Sequence, residues 1–281
     1  MKNHKVFKKS GELELFDPNK LCGSIKMTGV KESLANQVCG IVASSIDSDI
    51  SSEEIFKITR KYLYQSDPGI AAIYSLERGL SALGPSGFLF EQYVAALFLE
   101  MEYKVKTNVY AKGEGVDHEI DVWAEKGNVV FIVEAKYRND YKNKTHIPQV
   151  MYADAKLADI RRQKEKMGDT REFYMWMITN TRFTDSAINY IKHRDLQLMG
   201  WDFPQYINLM KIVYEKKLYP VTVLPSINKK ALKKMAELDI VLVKKLKTFS
   251  ADDFRNKIDV SMTLAKKLHQ EVVDLMIENT V

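Results

Sequence analysis

Hydrophobic and polar positions change their period twice along the chain. From Val6 to Phe16 (VFKKSGELELF), two short β-prone flanks enclose the turn pair Ser10-Gly11 and predict a small hairpin. Helical spacing follows. Asp17-Pro18 reads as an N-cap with proline at the first helical position, for a helix that ends by Gly29. A second helix opens near Lys31. A third opens at Ser51 or Ser52, where Ser51 with Glu54 makes a capping box ahead of IFKITRKYLY. A fourth, GIAAIYSLERGLSAL, stops at Gly84-Pro85, a breaker pair that marks a domain boundary.

After one more amphipathic helix, Ser86 to Glu102 with Phe90, Val94, Leu97 and Phe98 on its stripe, the period shortens to two. Tyr103 to Val109 alternates as a strand and leads to Gly113-Glu114-Gly115, whose glycines allow close approach of a backbone or ligand. His118 to Glu125 and Val129 to Tyr137 are β-branched and aromatic, joined at Gly127-Asn128, a hairpin signal. VVFIV is apolar at consecutive positions and predicts a strand buried on both faces. A long helix (QVMYADAKLADIRRQKEKMG), a buried strand, a polar loop at Thr179 to Arg182, a helix capped near Thr184 or Asp185 and a strand at Leu196 to Leu198 complete a βαβ order. Trp201 to Leu224 predicts a connecting helix ending in an extended YPVTVL. From Ser226 the chain returns to short helices: NKKALKKMAEL, VLVKKLKTF, and two capped by Ser250 and Ser261.

The chemistry concentrates in the central hairpin. Glu134 and Lys136 lie two residues apart on one strand and so share a face. With the turn at Gly127-Asn128, Asp121 falls opposite Glu134. Two carboxylates and a lysine then converge, and burying unpaired charge is costly, so each needs a partner. One solution is a Lys136-carboxylate ion pair at a strand end. The other is a hard cation such as Mg²⁺, held by Asp121, Glu134 and the Ala135 carbonyl, with Lys136 facing a phosphate.

The order Asp121, then Glu134-Ala135-Lys136 on the next strand, resembles the PD-(D/E)xK nucleases, and GVDHEIDV…FIVEAKYR is most similar to the Mrr-like type IV restriction endonucleases. The resemblance spans roughly residues 85 to 200. It implies Asp121 and Glu134 as metal ligands, Lys136 as the group that orients water and stabilises the transition state, and an acidic residue on the opening helix that points to the metal. Here that residue is Glu91, which could equally be an exposed glutamate favoured by the helix dipole. Gln149, at the start of the long helix, resembles the glutamine that often follows E-x-K and orders the site.

Residues 3 to 84, from VFKKSG…FDPNKL to IAAIYSLERGLSALG, resemble the ATP-cone, a regulatory nucleotide-binding module. That resemblance places Lys8, Lys9 and Lys20 on nucleotide phosphates, where ammonium groups neutralise charge. Ser52 stands where the family often has a threonine facing the nucleotide, and a capping role is its alternative. Residues 225–281 look like tandem helix-hairpin-helix modules. Asp239 and Asp259 stand where the hairpin glycines would be and would repel phosphate, so a packing or dimerisation module is the other reading.

The fold class expected is therefore multi-domain α/β, with an ATP-cone over 1–84, a nuclease domain with a mixed sheet and connector over 85–224, and an all-α module over 225–281. Composition changes little. The 281 residues are 46% hydrophobic, enough for real cores, and 42 basic against 37 acidic residues give a formal charge of +5, which permits DNA without requiring it. Cys22 and Cys39 are too few for a secreted disulfide framework and are read as reduced thiols. The N-terminus lacks an apolar signal core and no run approaches a membrane span, which predicts a cytoplasmic protein. The function these features imply is an Mg²⁺-dependent DNA endonuclease regulated by ATP or dATP, acting as a homo-oligomer. The alternative is a nucleotide-responsive DNA-binding regulator on an inactive nuclease fold.

Overall fold

The computed structural model describes residues 4–8, 11–84, 87–140 and 142–276. The chain divides into two units, Met1–Ser75 and Leu76–Val281.

In the first unit, β1 (Lys5–Phe7) and β2 (Leu13–Leu15) form the hairpin expected at Gly11, with Val6 opposite Glu14. A third strand, β3 (Ile50–Ser51), adds in parallel to β1. The Asp17 carboxylate accepts the Asn19 N–H and starts α1 (Pro18–Lys26). Then come α2 (Glu32–Ser45), α3 (Ser52–Ser66) and α4 (Pro68–Ser81), the last running on into the second unit. Leu21 and Ile25 of α1 pack with Val38 and Val42 of α2 and Leu63 of α3 as the core. The reduced state expected for the two cysteines is corrected. Packing of α1 on α2 brings their Cα atoms to 5.3 Å, within bridging range, and Cys22 and Cys39 form a disulfide.

The second unit is built on a five-stranded sheet in the order β4-β5-β6-β7-β8, formed by β4 (Lys104–Lys112), β5 (Asp117–Lys126), β6 (Val129–Lys136), β7 (Glu172–Thr179) and β8 (Leu196–Met199). The β4-β5 and β5-β6 pairs are antiparallel, whereas β6-β7 and β7-β8 are parallel, which gives the mixed sheet expected. Between β6 and β7 the chain crosses through α6 (Ile147–Lys166), and between β7 and β8 through α7 (Asp185–Tyr190). On one face Val130, Ile132, Met175 and Met177 pack with Val150, Leu157 and Ile160 of α6. On the other, Phe98 of α5 (Phe88–Glu100) packs against Phe131 and Trp176. Covered on both sides, β6 is central, as its apolar run predicts. The helix α5 is less amphipathic than expected: Phe90 and every residue from Tyr93 to Phe98 are buried.

The connecting helix predicted from Trp201 up to the extended YPVTVL segment forms only in part. Only α8 (Leu209–Glu215) is helical, capped by Asn208, and Pro204 upstream lacks the N–H a continuous helix requires. A 3-10 turn at Val221–Val223 replaces the extended segment expected there. The remaining helices are α9 (Lys229–Glu237), α10 (Ala251–Lys257) and α11 (Met262–Met276), with VLVKKLKTF contracted to a 3-10 turn at Val243–Leu246. Asp239 and Asp259 take left-handed φ of 54° and 57°, the backbone shape for which glycine was expected. Their carboxylates are engaged within the chain: Asp239 accepts from Gln92 of α5 at 2.8 Å, and Asp259 pairs with Lys230 at 2.8 Å. Lys244 pairs with Glu100, also on α5. Those contacts fit the packing reading of this segment. No helix among the described residues is long and apolar enough to cross a membrane.

Candidate active site at the ends of β5 and β6

The hairpin turn fixes the geometry of the site. Lys126 pairs with Val129, leaving Gly127-Asn128 as a two-residue loop, and Gly127 takes φ 61°, which disfavours a side chain. Five paired positions follow, up to Val122 opposite Val133, and the same register puts Asp121 against Glu134. There the ladder ends, and the Asp121 carboxylate accepts the Ala135 N–H at 2.7 Å. The N–H and C=O of a residue in an extended strand point to the same edge, so the Ala135 carbonyl also faces β5. Glu134 and Lys136 alternate with the buried Ala135. Lys136 is half-buried, and its side chain makes no hydrogen bond or ion pair among the described residues.

Glu134 has its own partner. Lys156, from the middle of α6, donates to Glu134 Oε2 at 2.7 Å and to the Glu119 carbonyl at 3.0 Å. The ion pair proposed for Lys136 is thus made by Lys156, because α6 crosses the face on which Glu134 lies while Lys136 sits one step beyond it. Burial pushes the Asp121 carboxyl up to about 7; the Glu134 and Glu91 charges push the same way, against the Ala135 N–H and Lys156. Glu91, in the first turn of α5, is also raised, by burial first and then by Glu119 and Glu134. Four carboxylates therefore share one field, with Lys156 set among them.

The flanks are pinned. Asn180, fully buried, accepts the Arg138 N–H and donates to the Arg138 carbonyl, both at 2.8 Å, and so fixes the backbone two residues past Lys136. Tyr137 donates to the Ser81 carbonyl at 2.5 Å and packs on Phe90, ahead of Glu91. Asp159 of α6 bonds His118 at 2.8 Å and accepts the Gly115 N–H at 3.0 Å, holding the loop that enters β5. The close approach expected of that loop is to this aspartate: a Cβ on Gly113 would lie 2.0 Å from its Oδ2.

Comparison with known proteins places this geometry. The chain is 30% identical over 178 residues to an uncharacterised protein of Archaeoglobus fulgidus, covering 63% of this chain and 97% of that one. The chain belongs to the family of this archaeal protein. Residues 84–210 match the restriction endonuclease family model (Mrr catalytic domain), and residues 219–276 match the AF1548-like C-terminal model. The crystal structure of a protein of unknown function, AF1548, superposes with a TM-score of 0.55 at 28% identity, covering 66% of this chain and 96% of that chain. MspJI restriction endonuclease with a 27-mer oligonucleotide gives only 0.35 at 15% identity over 54% of this chain and 31% of that chain, too slight a likeness to bear on fold or chemistry. The restriction-endonuclease-like domain of this chain, residues 84–210, contains Glu91, Asp121, Glu134, Lys136 and Gln149.

The other residues singled out in this family member are placed as follows. The Gln149 side-chain oxygen accepts the His146 N–H at 3.2 Å, so it caps the start of α6. Lys8 reaches Glu12 at 3.2 Å and Glu14 at 2.9 Å, and Lys20 reaches the same Glu14 oxygen at 3.1 Å. These two lysines hold the Glu14 carboxyl below its ordinary value, Lys8 more than Lys20. Lys9 lies outside the described residues. The cap of α3 is Ser51, whose hydroxyl accepts the Glu54 N–H at 3.1 Å, which leaves Ser52 as the first helical residue without the capping duty.

Asp121, Glu134 and the Ala135 carbonyl are oxygen donors only, which suits a hard cation that keeps several waters rather than zinc. The Glu134 charge disfavours ionisation of Asp121, and a divalent cation relieves that repulsion. The donor set fits such an ion, although among the described residues no group of three or more His, Cys, Asp or Glu side chains is close enough to hold one unaided.

Proposed function

We propose that the chain is an Mg²⁺-dependent DNA endonuclease of restriction or repair type, with ATP or dATP bound by residues 1–84 as its regulator and residues 225–281 as a helical packing module. The observation that carries the reading is the meeting of Asp121 with the Glu134-Ala135-Lys136 segment through the Ala135 N–H, inside a restriction-endonuclease-like domain. Asp121, Glu134 and the Ala135 carbonyl would hold the cation, which when bound lowers the pKa of water and offsets charge on the phosphate. Lys136, whose side chain has no partner among the described residues, faces the phosphate and orients the attacking water. Glu91, whose carboxyl is raised by burial and by neighbouring like charge, assists through a water molecule.

Supercoiled plasmid incubated with the purified chain and Mg²⁺ tests this. Asp121→Ala, Glu134→Ala and Lys136→Ala each lower cleavage by at least about a hundredfold, the scale of losing a transition-state contact, without loss of fold. Undiminished cleavage by Lys136→Ala contradicts the mechanism. A parent chain that binds DNA but never cuts it, with Mg²⁺ and with or without ATP, is instead the nucleotide-responsive regulator.

A further inference from the structure

The Lys156 side chain is 6% exposed and that of Glu134 16% exposed. A lysine so buried needs its charge compensated, and two of its three donors are spent on Glu134 and the Glu119 carbonyl. The ammonium also stands 5.4 Å from the Tyr152 ring centroid, a third favourable contact. Nothing in the E-x-K pattern requires this residue, yet it grips the oxygen of the very carboxylate that the nuclease reading gives to a metal. Without it, the partly buried Glu134, Asp121 and Glu91 would lie together with no cation hydrogen-bonded to any of them among the described residues.

We infer that Lys156 is the resident counter-cation of the carboxylate site: it holds Glu134 in the metal-free protein and competes with the divalent cation for that carboxylate. The inference rests on the metal-centre reading of Asp121 and Glu134 and makes Lys156 a positioning residue that acts through Glu134. Two consequences follow from Coulomb attraction in a poorly solvated site. The positive charge lowers affinity for a second cation nearby. It also stabilises the protein when the divalent ion is away, so metal and lysine substitute for one another.

The test is calorimetric titration of Mn²⁺ into the full-length chain, with melting scans in EDTA. Lys156→Met is expected to bind Mn²⁺ at least about tenfold tighter than the parent and to melt lower in EDTA, with added Mn²⁺ restoring more of its melting temperature than it adds to the parent's. Lys156→Arg keeps the charge and stays near the parent in both readouts. Adding Glu134→Gln to Lys156→Met removes the unpaired carboxylate and recovers melting temperature in EDTA, the signature of direct coupling. Parent binding with unchanged or weaker affinity in Lys156→Met overturns the assignment of Lys156 alone. A parent that binds no Mn²⁺ overturns the metal centre, and this inference with it. If the single and the double variant both fail to fold, Lys156 serves packing and the inference is wrong.

Discussion

Asp121 carries the most informative perturbation in the molecule. Its carboxyl ionises near 3.8 in an unfolded chain but is raised to about 7 here, by burial first and by Glu134 next. Between those values the folded state binds the extra proton, so this residue's contribution to stability falls as pH rises from about 4 through 7. Asp121→Asn keeps an oxygen to accept the Ala135 N–H and removes the charge. In EDTA its melting temperature should draw level with the parent's near pH 4, exceed it increasingly up to about pH 7 and keep a constant lead above that, and a gap that is flat or shrinks between pH 4 and 7 would contradict the burial described. Asp121, Glu134 and Lys136 were legible because they flank a turn that Gly127-Asn128 announces, and a two-residue register leaves little freedom. Lys156 was missed because it comes from a helix 22 residues further on. A signal did exist: Val150, Ala153, Leu157 and Ile160 form the buried stripe of α6, and Lys156 stands within that stripe. A lysine on an apolar helix face asks for a buried partner. Asn180 was hidden for another reason, since TNTR reads as an exposed polar loop and only the sheet's closure around Arg138 makes it core.

Among the elements, local signals placed the helix starts well and long-range packing decided the rest. Asp17-Pro18, Ser51 with Glu54, and Ser250 act as caps because the bond is made within three residues. The helix read from Trp201 was right only in part because its spacing was read across Pro204, while the α5 stripe was read as one-sided although the helix is enclosed nearly all round. The disulfide was illegible, because a separation of 17 residues says nothing about two helices packed face to face. The hairpin of the first unit shows a further element-scale effect. Glu14 on β2 occupies both Lys8 and Lys20, the cations proposed to meet nucleotide phosphate. A phosphate approaching these ammonium groups therefore meets the negative charge of Glu14 beside them. Glu14→Gln should tighten ATP or dATP binding several-fold by calorimetry on the full chain, whereas Lys8→Ala, which removes a charge-assisted contact, should weaken it by roughly tenfold. Equal affinities in parent and Glu14→Gln would take Lys8 and Lys20 out of the nucleotide site.

At the scale of the whole molecule, α4 is the element on which regulation would depend. Ile70, Ala71 and Tyr74 near its start belong to the core of the first unit. Its last turns are held within the second: Glu77 pairs with Arg182 at 2.9 Å, the Gly79 carbonyl accepts from Thr222 at 2.7 Å, and the Ser81 carbonyl accepts from Tyr137, next to Lys136. The proposed regulation would have to pass through this helix, which the chain follows from the first unit into the second. Allostery is a coupling free energy, typically 1–3 kcal/mol, and it is reciprocal for binding. DNA bound in the presence of Ca²⁺, which occupies an oxygen-donor site without supporting cleavage in this reading, should then change ATP or dATP affinity by roughly 5- to 150-fold. Calorimetry of nucleotide binding with and without a saturating duplex measures it. Glu77→Gln, which cuts the tie to Arg182, should shrink the difference while leaving each ligand's separate affinity near the parent value. Identical nucleotide affinities with and without DNA, in a protein shown to bind both, would mean that the two units share a chain and no free energy.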